Sequence, residues 1–241
     1  MTPWVIVQAR RGSERLPDKV LAPLGAHTVV ETVLRRCQMS GRAAGVALAT
    51  TTEKRDAAVA AVAEGLGVPV FRGSEADVLA RYVGAAEMVN AELVVRVTAD
   101  CPLLDPATID QGIDAFNDSD DALFVEGYPN GLGEVDLATF AALRKVFEIT
   151  SPTDTYYREH VTTYFARNPE GRFRVARVSA PPELLRPEIR LSVDEQPDLD
   201  VVRRVAGHFA PRLDFTAREV IEFLDAHPEI AAINRHVRQR R

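Results

Sequence analysis

The chain has 241 residues, of which 46% are hydrophobic, so its length and composition suit one large α/β domain with a buried core. Its formal net charge of −6 disfavours a nucleic-acid-binding protein, which would be basic overall. Two cysteines supply neither a disulfide framework nor the spacing of a metal site. No apolar run approaches the roughly 18 residues of a membrane span. Because the first predicted strand starts at Trp4, we expect no signal peptide and a cytoplasmic protein.

Strands and helices are predicted to alternate along most of the chain. Apolar runs predict strands over 4–9, 45–51, 68–71, 92–98, 122–126, 173–179 and 189–194. Helical spacing predicts helices over 28–37, 55–67, 75–89, 105–116 and 156–169, one from Pro197, and two short ones in the last stretch. The alternation predicts a mainly parallel sheet with helices on both faces, in a single domain over 1–241. Residues 126–134 are rich in turn formers, and we interpret the basic chain end as a solvated helix terminus.

The loop over 9–19 leaves the first strand at the edge where ligands bind in open parallel sheets. Gly12 and Ser13 would let its backbone N–H groups point at an anion. Three further residues add positive charge: Arg10, Arg15 and Lys19. The spacing fits neither the Walker A pattern nor G-x-G-x-x-G. We interpret the loop as a phosphate site; the alternative is a solvated basic loop whose arginines pair with Glu14 and Asp18.

Asp100 follows the predicted strand over 92–98 directly. A carboxylate in that position is a natural Mg²⁺ ligand, because Mg²⁺ takes one or two carboxylates together with phosphate oxygens and water. The alternative is a turn aspartate that bonds its own backbone. That alternative is weakened because Asp105, followed by Pro106, already has the features of the cap of the next helix.

Asp194 stands at the end of the predicted strand over 189–194. Gln196 precedes Pro197 and is the expected cap of the following helix, so Asp194 is not obviously needed for capping. Two aspartates at two strand ends, beside a cationic loop at a third, would form one Mg²⁺–triphosphate site.

Several motifs occur in order along nearly the whole chain: "QARRGSERLPDKVLAPL", "VFRGSEADVLARY", "VVRVTADCPLLDP", "YYREHVT" and "LSVDEQPDL". Together they resemble the cytidylyltransferase family that includes the spore coat polysaccharide biosynthesis protein F group, with the CMP-acylneuraminate and CMP-KDO synthetases as more distant relatives. The resemblance implies the Rossmann-like nucleotide-diphospho-sugar transferase fold. It also implies an enzyme that uses CTP and Mg²⁺ to transfer CMP to a small acidic acceptor, with release of pyrophosphate.

The resemblance also implies roles for individual residues. Nucleotide-binding positions would be Ala9, Arg10, Gly12, Ser13, Arg15, Lys19, Thr50, Arg72 and Thr98. Metal ligands would be Asp100 and Asp194. Catalytic residues would be Arg10, Lys19 and Asp100. Acceptor-binding residues would be Tyr128, Asn130 and His160.

Some positions depart from the usual family motifs. Glu14 and Asp18 replace the more usual Thr and Gly, which places carboxylates near the proposed triphosphate, and Ala99 stands where Gly is usual. By analogy the region from about 127 to 180 would bind the acceptor and pair two copies as a homodimer. The alternatives are a sugar-1-phosphate uridylyl- or guanylyltransferase and a non-catalytic nucleotide-binding protein.

Overall fold

The computed structural model describes residues 1–133 and 135–237. The predicted turn at Glu134 and the basic chain end from Arg238 therefore lie outside the described residues. The described strands are β1 (Pro3–Gln8), β2 (Pro23–Leu24), β3 (His27–Thr28), β4 (Gly45–Thr51), β5 (Val70–Gly73), β6 (Leu93–Thr98), β7 (Ala122–Glu126), β8 (Val135–Thr139) and β9 (Val175–Ser179). The described α-helices are α1 (Val29–Cys37), α2 (Ala57–Gly65), α3 (Val78–Met88), α4 (Pro106–Ala115), α5 (Phe140–Ile149), α6 (Thr155–Glu159), α7 (Thr163–Arg167), α8 (Gln196–Phe209), α9 (Ala217–Ala226) and α10 (Pro228–Ala232).

Seven strands form one sheet in the order β5-β4-β1-β6-β8-β7-β9. β8 is antiparallel to both of its neighbours, and the other neighbouring pairs are parallel. β2 and β3 form a separate antiparallel hairpin. The sheet is therefore mainly parallel, as predicted.

Side chains of the central strand β1 alternate between two hydrophobic cores. Val5 and Val7 belong to the core that includes α1, α4 and α8, whereas Ile6 belongs to the core that includes α3 and α5. Helices therefore cover both faces of the sheet, which confirms the predicted layers. Among the described residues, the structure contains no helix with the length and apolar character needed to cross a membrane.

The central strands place the predicted loops next to each other. Gln8 at the end of β1 lies in register with Thr98 at the end of β6. Because these two strands are parallel, the loop over 9–19 and the turn that carries Asp100 leave the same edge side by side. The predicted cap is also confirmed: Asp105 Oδ1 accepts a hydrogen bond of 3.0 Å from the N–H of Ala107, and Pro106 opens α4.

The second half of the chain differs from the predictions in its local structure. The expected helix over 156–169 is two short helices, because Val161 between them has a left-handed φ of 40°. The expected strand over 189–194 was wrong. The N–H of Leu191 donates to Asn130 and that of Val193 donates to Asp100, so the segment bonds to two different loops rather than along one strand. β8 and α5 were not predicted; β8 is short and lacks clean alternation.

Candidate active site

A cavity of about 510 Å³ opens at the carboxyl edge of the central strands. The predicted residues that line it are Ala9, Arg10, Gly12, Ser13, Arg15, Lys19, Thr98, Asp100, His160 and Asp194. They come from the loop after β1, the turn after β6, the end of α6 and the segment before α8. The fold thus brings together residues as far apart in the chain as Ala9 and Asp194, as expected for a ligand site at the crevice of an open sheet.

The loop over 9–19 is held by a buried carboxylate behind it. Asp56, which is fully buried, accepts a hydrogen bond of 2.7 Å from the N–H of Arg11. The N–H of Ser13 donates to the carbonyl of Arg11, which tightens the turn. Within residues 1–133 and 135–237, the N–H groups of Gly12, Glu14 and Arg15 donate to no other residue. These donors in a tight loop are a suitable cradle for an anion.

Arg11 turns away from the cavity and pairs with Asp18. Its Nε and Nη2 donate to the two carboxylate oxygens of Asp18 over 2.7 and 2.9 Å. Arg11 therefore offsets Asp18, whereas the exposed Glu14 makes no ion pair among the described residues. Asp18 has a left-handed φ of 60°, which explains on physical grounds why glycine suits this position and why a short Asp is tolerated.

Lys19 joins the two predicted metal ligands. Its Nζ lies 3.1 Å from Asp100 Oδ2 and 3.0 Å from Asp194 Oδ1. It also donates to the carbonyl of Val193 over 2.6 Å. The two carboxylates therefore converge on one point, and that point is taken by an ammonium group.

The charges of this cluster stabilise one another. Burial lowers the pKa of Lys19, but the charges of Asp100 and Asp194 raise it, and the net pKa lies above its ordinary value. Burial raises the pKa of Asp100, but Lys19 and hydrogen bonds from Thr98, Lys19 and Cys101 lower it, and the net pKa lies below its ordinary value. Both groups are therefore charged at neutral pH.

Two arginines complete the surroundings of Asp194. Arg15 Nη2 lies 2.8 Å from its Oδ1, and Arg190 Nη2 donates to its Oδ2.

No group of three or more potential metal-ligating side chains occurs in the described part of the chain. Two carboxylates fit Mg²⁺ only when phosphate oxygens and water supply the other ligands, which is how Mg²⁺ commonly binds beside a triphosphate.

Around Arg10 the cavity also contains residues that the sequence did not single out, namely Gln8, Arg81 and Glu159. Arg10 donates to the carbonyl of Glu75 over 3.1 Å and pairs with Glu159 at 3.5 Å. Gln8 and Arg81 also line the cavity, and Arg81 is 1% exposed. The available signal was weak: Gln8 is a polar last residue on an otherwise apolar strand, and Arg81 interrupts the apolar face of α3.

Four predicted residues do not line this cavity. Thr50 is fully buried in β4. Arg72 donates to the carbonyls of Thr51 and Glu53, so it holds the loop after β4. Tyr128 is buried and donates to Gln111 over 2.8 Å.

The fourth is Asn130, whose Oδ1 accepts a hydrogen bond from Ser192. The carbonyl of Asn130 also accepts from the N–H of Leu191, over 2.8 Å. Asn130 therefore supports the segment that leads to Asp194.

Comparisons with known proteins agree with the geometry. The family described as cytidylyltransferase matches residues 4–210. An uncharacterized protein of Methanocaldococcus jannaschii is 36% identical, over 98% of this chain and 95% of its own length. The spore coat polysaccharide biosynthesis protein SpsF of Bacillus subtilis is 34% identical, over 94% of this chain and 95% of its own length.

A solved cytidylyltransferase from Leptospira borgpetersenii superposes with a TM-score of 0.88 at 30% identity, covering 96% of this chain and 97% of its own. Since the family match extends over most of the sheet and both aspartates of the site, the chain belongs to the cytidylyltransferase family and is a nucleotidyltransferase enzyme.

Proposed function

We propose that this enzyme transfers CMP from CTP to an oxygen of a small acidic acceptor and releases pyrophosphate. The acceptor class is a sugar acid, or else a phosphate or phosphonate. The observation that carries the proposal is the convergence of Asp100 and Asp194 on Lys19 beside the cationic loop. This places hard anionic ligands and phosphate-binding cations in one cavity, which is the arrangement that phosphoryl-group transfer requires.

In the proposed reaction an acceptor oxygen attacks the α-phosphorus of CTP in line. The new bond joins that oxygen to the α-phosphorus, the bond from the α-phosphorus to the bridging oxygen breaks, and the acceptor proton passes to solvent. Arg10, Arg15 and Lys19 hold the pyrophosphate and stabilise the charge that grows on it as the bond breaks. The N–H groups of the loop add further donors to the phosphates.

Asp100 and Asp194 would hold Mg²⁺, which when bound neutralises phosphate charge and lowers the pKa of a coordinated oxygen. Lys19 now lies between these carboxylates. We propose that a bound triphosphate attracts Lys19 and Arg15 away from Asp194. The carboxylate oxygens that they release are then available to the metal ion, so the triphosphate and Mg²⁺ bind together.

The acceptor would enter on the side of His160 and Glu159, which line the cavity at the end of α6. The name of the Bacillus relative, which refers to polysaccharide biosynthesis, supports a sugar-derived acceptor.

We also propose that two copies pair through the region from about 127 to 180, where Tyr156 is 39% exposed. Light scattering of the purified protein tests the pairing, because a monomer at micromolar concentration would contradict it.

A thermal-shift panel with CTP, UTP, GTP and ATP, each with Mg²⁺, tests the nucleotide. We expect CTP to raise the melting temperature most, because a ligand that binds only the native state stabilises it by mass action. Pyrophosphate release measured over a set of sugar acids, phosphates and phosphonates then identifies the acceptor. A larger shift with UTP or GTP would contradict the proposed base.

A further inference from the structure

Asn234 lies beyond α10, far along the chain from the site, and is 3% exposed. Its Nδ2 donates two hydrogen bonds, one of 2.9 Å to the carbonyl of Arg190 and one of 2.8 Å to Asp198 Oδ1. A single amide group therefore ties the segment before Asp194 to the helix that follows it.

Asp198 is the centre of this connection and is fully buried. Its Oδ2 accepts hydrogen bonds of 3.0 Å from the N–H groups of Asp194 and Glu195. Its Oδ1 accepts from Arg190 Nε over 3.1 Å, in addition to the bond from Asn234. The carboxylate thus closes the turn that presents Asp194, and four donors satisfy it, as a buried charge requires.

This turn has no strand to hold it. The backbone around Asp194 pairs with no strand: the N–H of Val193 donates to the carbonyl of Asp100 over 2.7 Å, and the next two N–H groups donate to the side chain of Asp198. The position of Asp194 therefore depends on side-chain contacts. Its Oδ1 must stay near the point on which Asp100 also converges. Lys19 Nζ now occupies that point, 3.0 Å from Asp194 Oδ1.

We propose that Asn234 is a positioning residue for Asp194, acting through Asp198 and the backbone of Arg190. Without the amide, Asp198 loses one of four donors and the Arg190 carbonyl loses its donor, so the turn becomes free to shift. This inference rests on the proposed function, because it assigns to Asn234 an effect on the metal affinity of Asp194.

The test measures Mn²⁺ binding to the CTP complex of the full chain by electron paramagnetic resonance. Asn234→Ala should weaken Mn²⁺ binding by about tenfold, the lower end of the range for residues that orient metal ligands. Asn234→Asp keeps the shape, removes the donor and adds a charge beside Asp198, so it should weaken binding at least as much. At saturating Mn²⁺ both variants should recover most of the wild-type kcat, because the metal itself then draws Asp194 into place.

Ile230→Ala is the matched control, because Ile230 is buried in α10 and its truncation destabilises the same part of the chain. It should lower the melting temperature without changing Mn²⁺ affinity. In an Asp194→Asn background, Asn234→Ala should cause no further weakening, since residues that act through one ligand are not additive. If Asn234→Ala does not fold, Asn234→Asp and Asn234→Ser provide the same comparison.

Unchanged Mn²⁺ affinity in the Asn234 variants, or an equal loss in Ile230→Ala, would overturn this inference alone. A wild-type CTP complex that binds no Mn²⁺ would instead overturn the proposed metal site on which the inference rests.

Discussion

Asp100 and Asp194 contact the same ammonium group but are supported in different ways. Asp100 comes two residues after β6, a central strand paired on both sides. Asp194 lies in a segment without strand structure, and side chains hold it in place, Arg190 and Asp198 among them. The comparison teaches that a site can take one carboxylate from a position next to the sheet and hold the other in place with a buried polar network.

The first prediction tests whether the two carboxylates are equivalent in function despite this difference. Asp100→Asn and Asp194→Asn each remove a hard anionic ligand and keep the shape. We expect each to lower kcat by about a thousandfold, the upper end of the range for losing one preorganised electrostatic group. Pyrophosphate release at saturating CTP and Mg²⁺ measures this, with circular dichroism as a control for folding. Near-normal turnover in either variant would remove that residue from the site.

The second prediction concerns the network below Asp194. Arg190→Met should lower the free energy of unfolding by about 3 kcal/mol, because it leaves the fully buried Asp198 without its guanidinium partner. Arg35→Met is the matched control, since its partner Glu31 lies nearer the surface and such pairs are worth about 1 kcal/mol or less. Urea unfolding measures both. Equal losses would mean that the network around Asp194 has no special weight.

The third prediction concerns the cation between the two carboxylates. Lys19→Ala should lower kcat and kcat/KM together by about a hundredfold, because a charge that stabilises the leaving pyrophosphate is lost. Arg11→Ala should change both constants little, because Arg11 is turned away and paired with Asp18. Steady-state kinetics distinguishes the two variants. If they behave alike, the loop is only a basic surface.

The fourth prediction concerns pH and the carboxylate that is supported by the sheet. The pKa of Asp100 is lowered in the folded protein, so its contribution to stability is present above its ordinary pKa of about 3.9 and is lost as the pH falls through the lower folded value. Wild type should therefore lose more unfolding free energy between pH 5 and pH 3 than Asp100→Asn does. Urea midpoints at both pH values measure the difference, and parallel losses would contradict the account.

The smallest effect is expected at Glu14. This exposed carboxylate lines the cavity and lacks an ion-pair partner among the described residues. Glu14→Thr should leave CTP affinity unchanged or tighten it by less than about threefold, since exposed charges interact weakly and salt screens them. Calorimetry at low and high salt measures the change, with Glu64→Gln on α2 as the control. Clearly weaker binding would show that Glu14 contacts the ligand productively.

The first half of the site was predictable from the sequence because its residues adjoin strands. The loop after β1 and Asp100 after β6 follow apolar runs directly, and parallel pairing brings such ends together. Asp194 was placed correctly beside them although its predicted strand is absent. The cap of the following helix is Glu195 in a capping box with Asp198, rather than Gln196, and this box belongs to the support that replaces the strand.

The remaining contacts depend on positions that periodicity does not encode. Gln8 at the end of β1, Arg81 on α3 and Glu159 at the end of α6 all reach the cavity, although they lie far apart in the chain. The hydrogen bonds of Asn234 join residues 36 and 44 positions apart, and no local pattern indicates such pairs.

The most direct test of the central claim is a crystal structure of the enzyme with CTP and Mn²⁺, in which anomalous scattering locates the metal. The account predicts a manganese peak within coordination distance of both Asp100 and Asp194, with Lys19 Nζ moved onto a phosphate of CTP. A peak bound by phosphates alone, with Lys19 still between the two carboxylates, would contradict it.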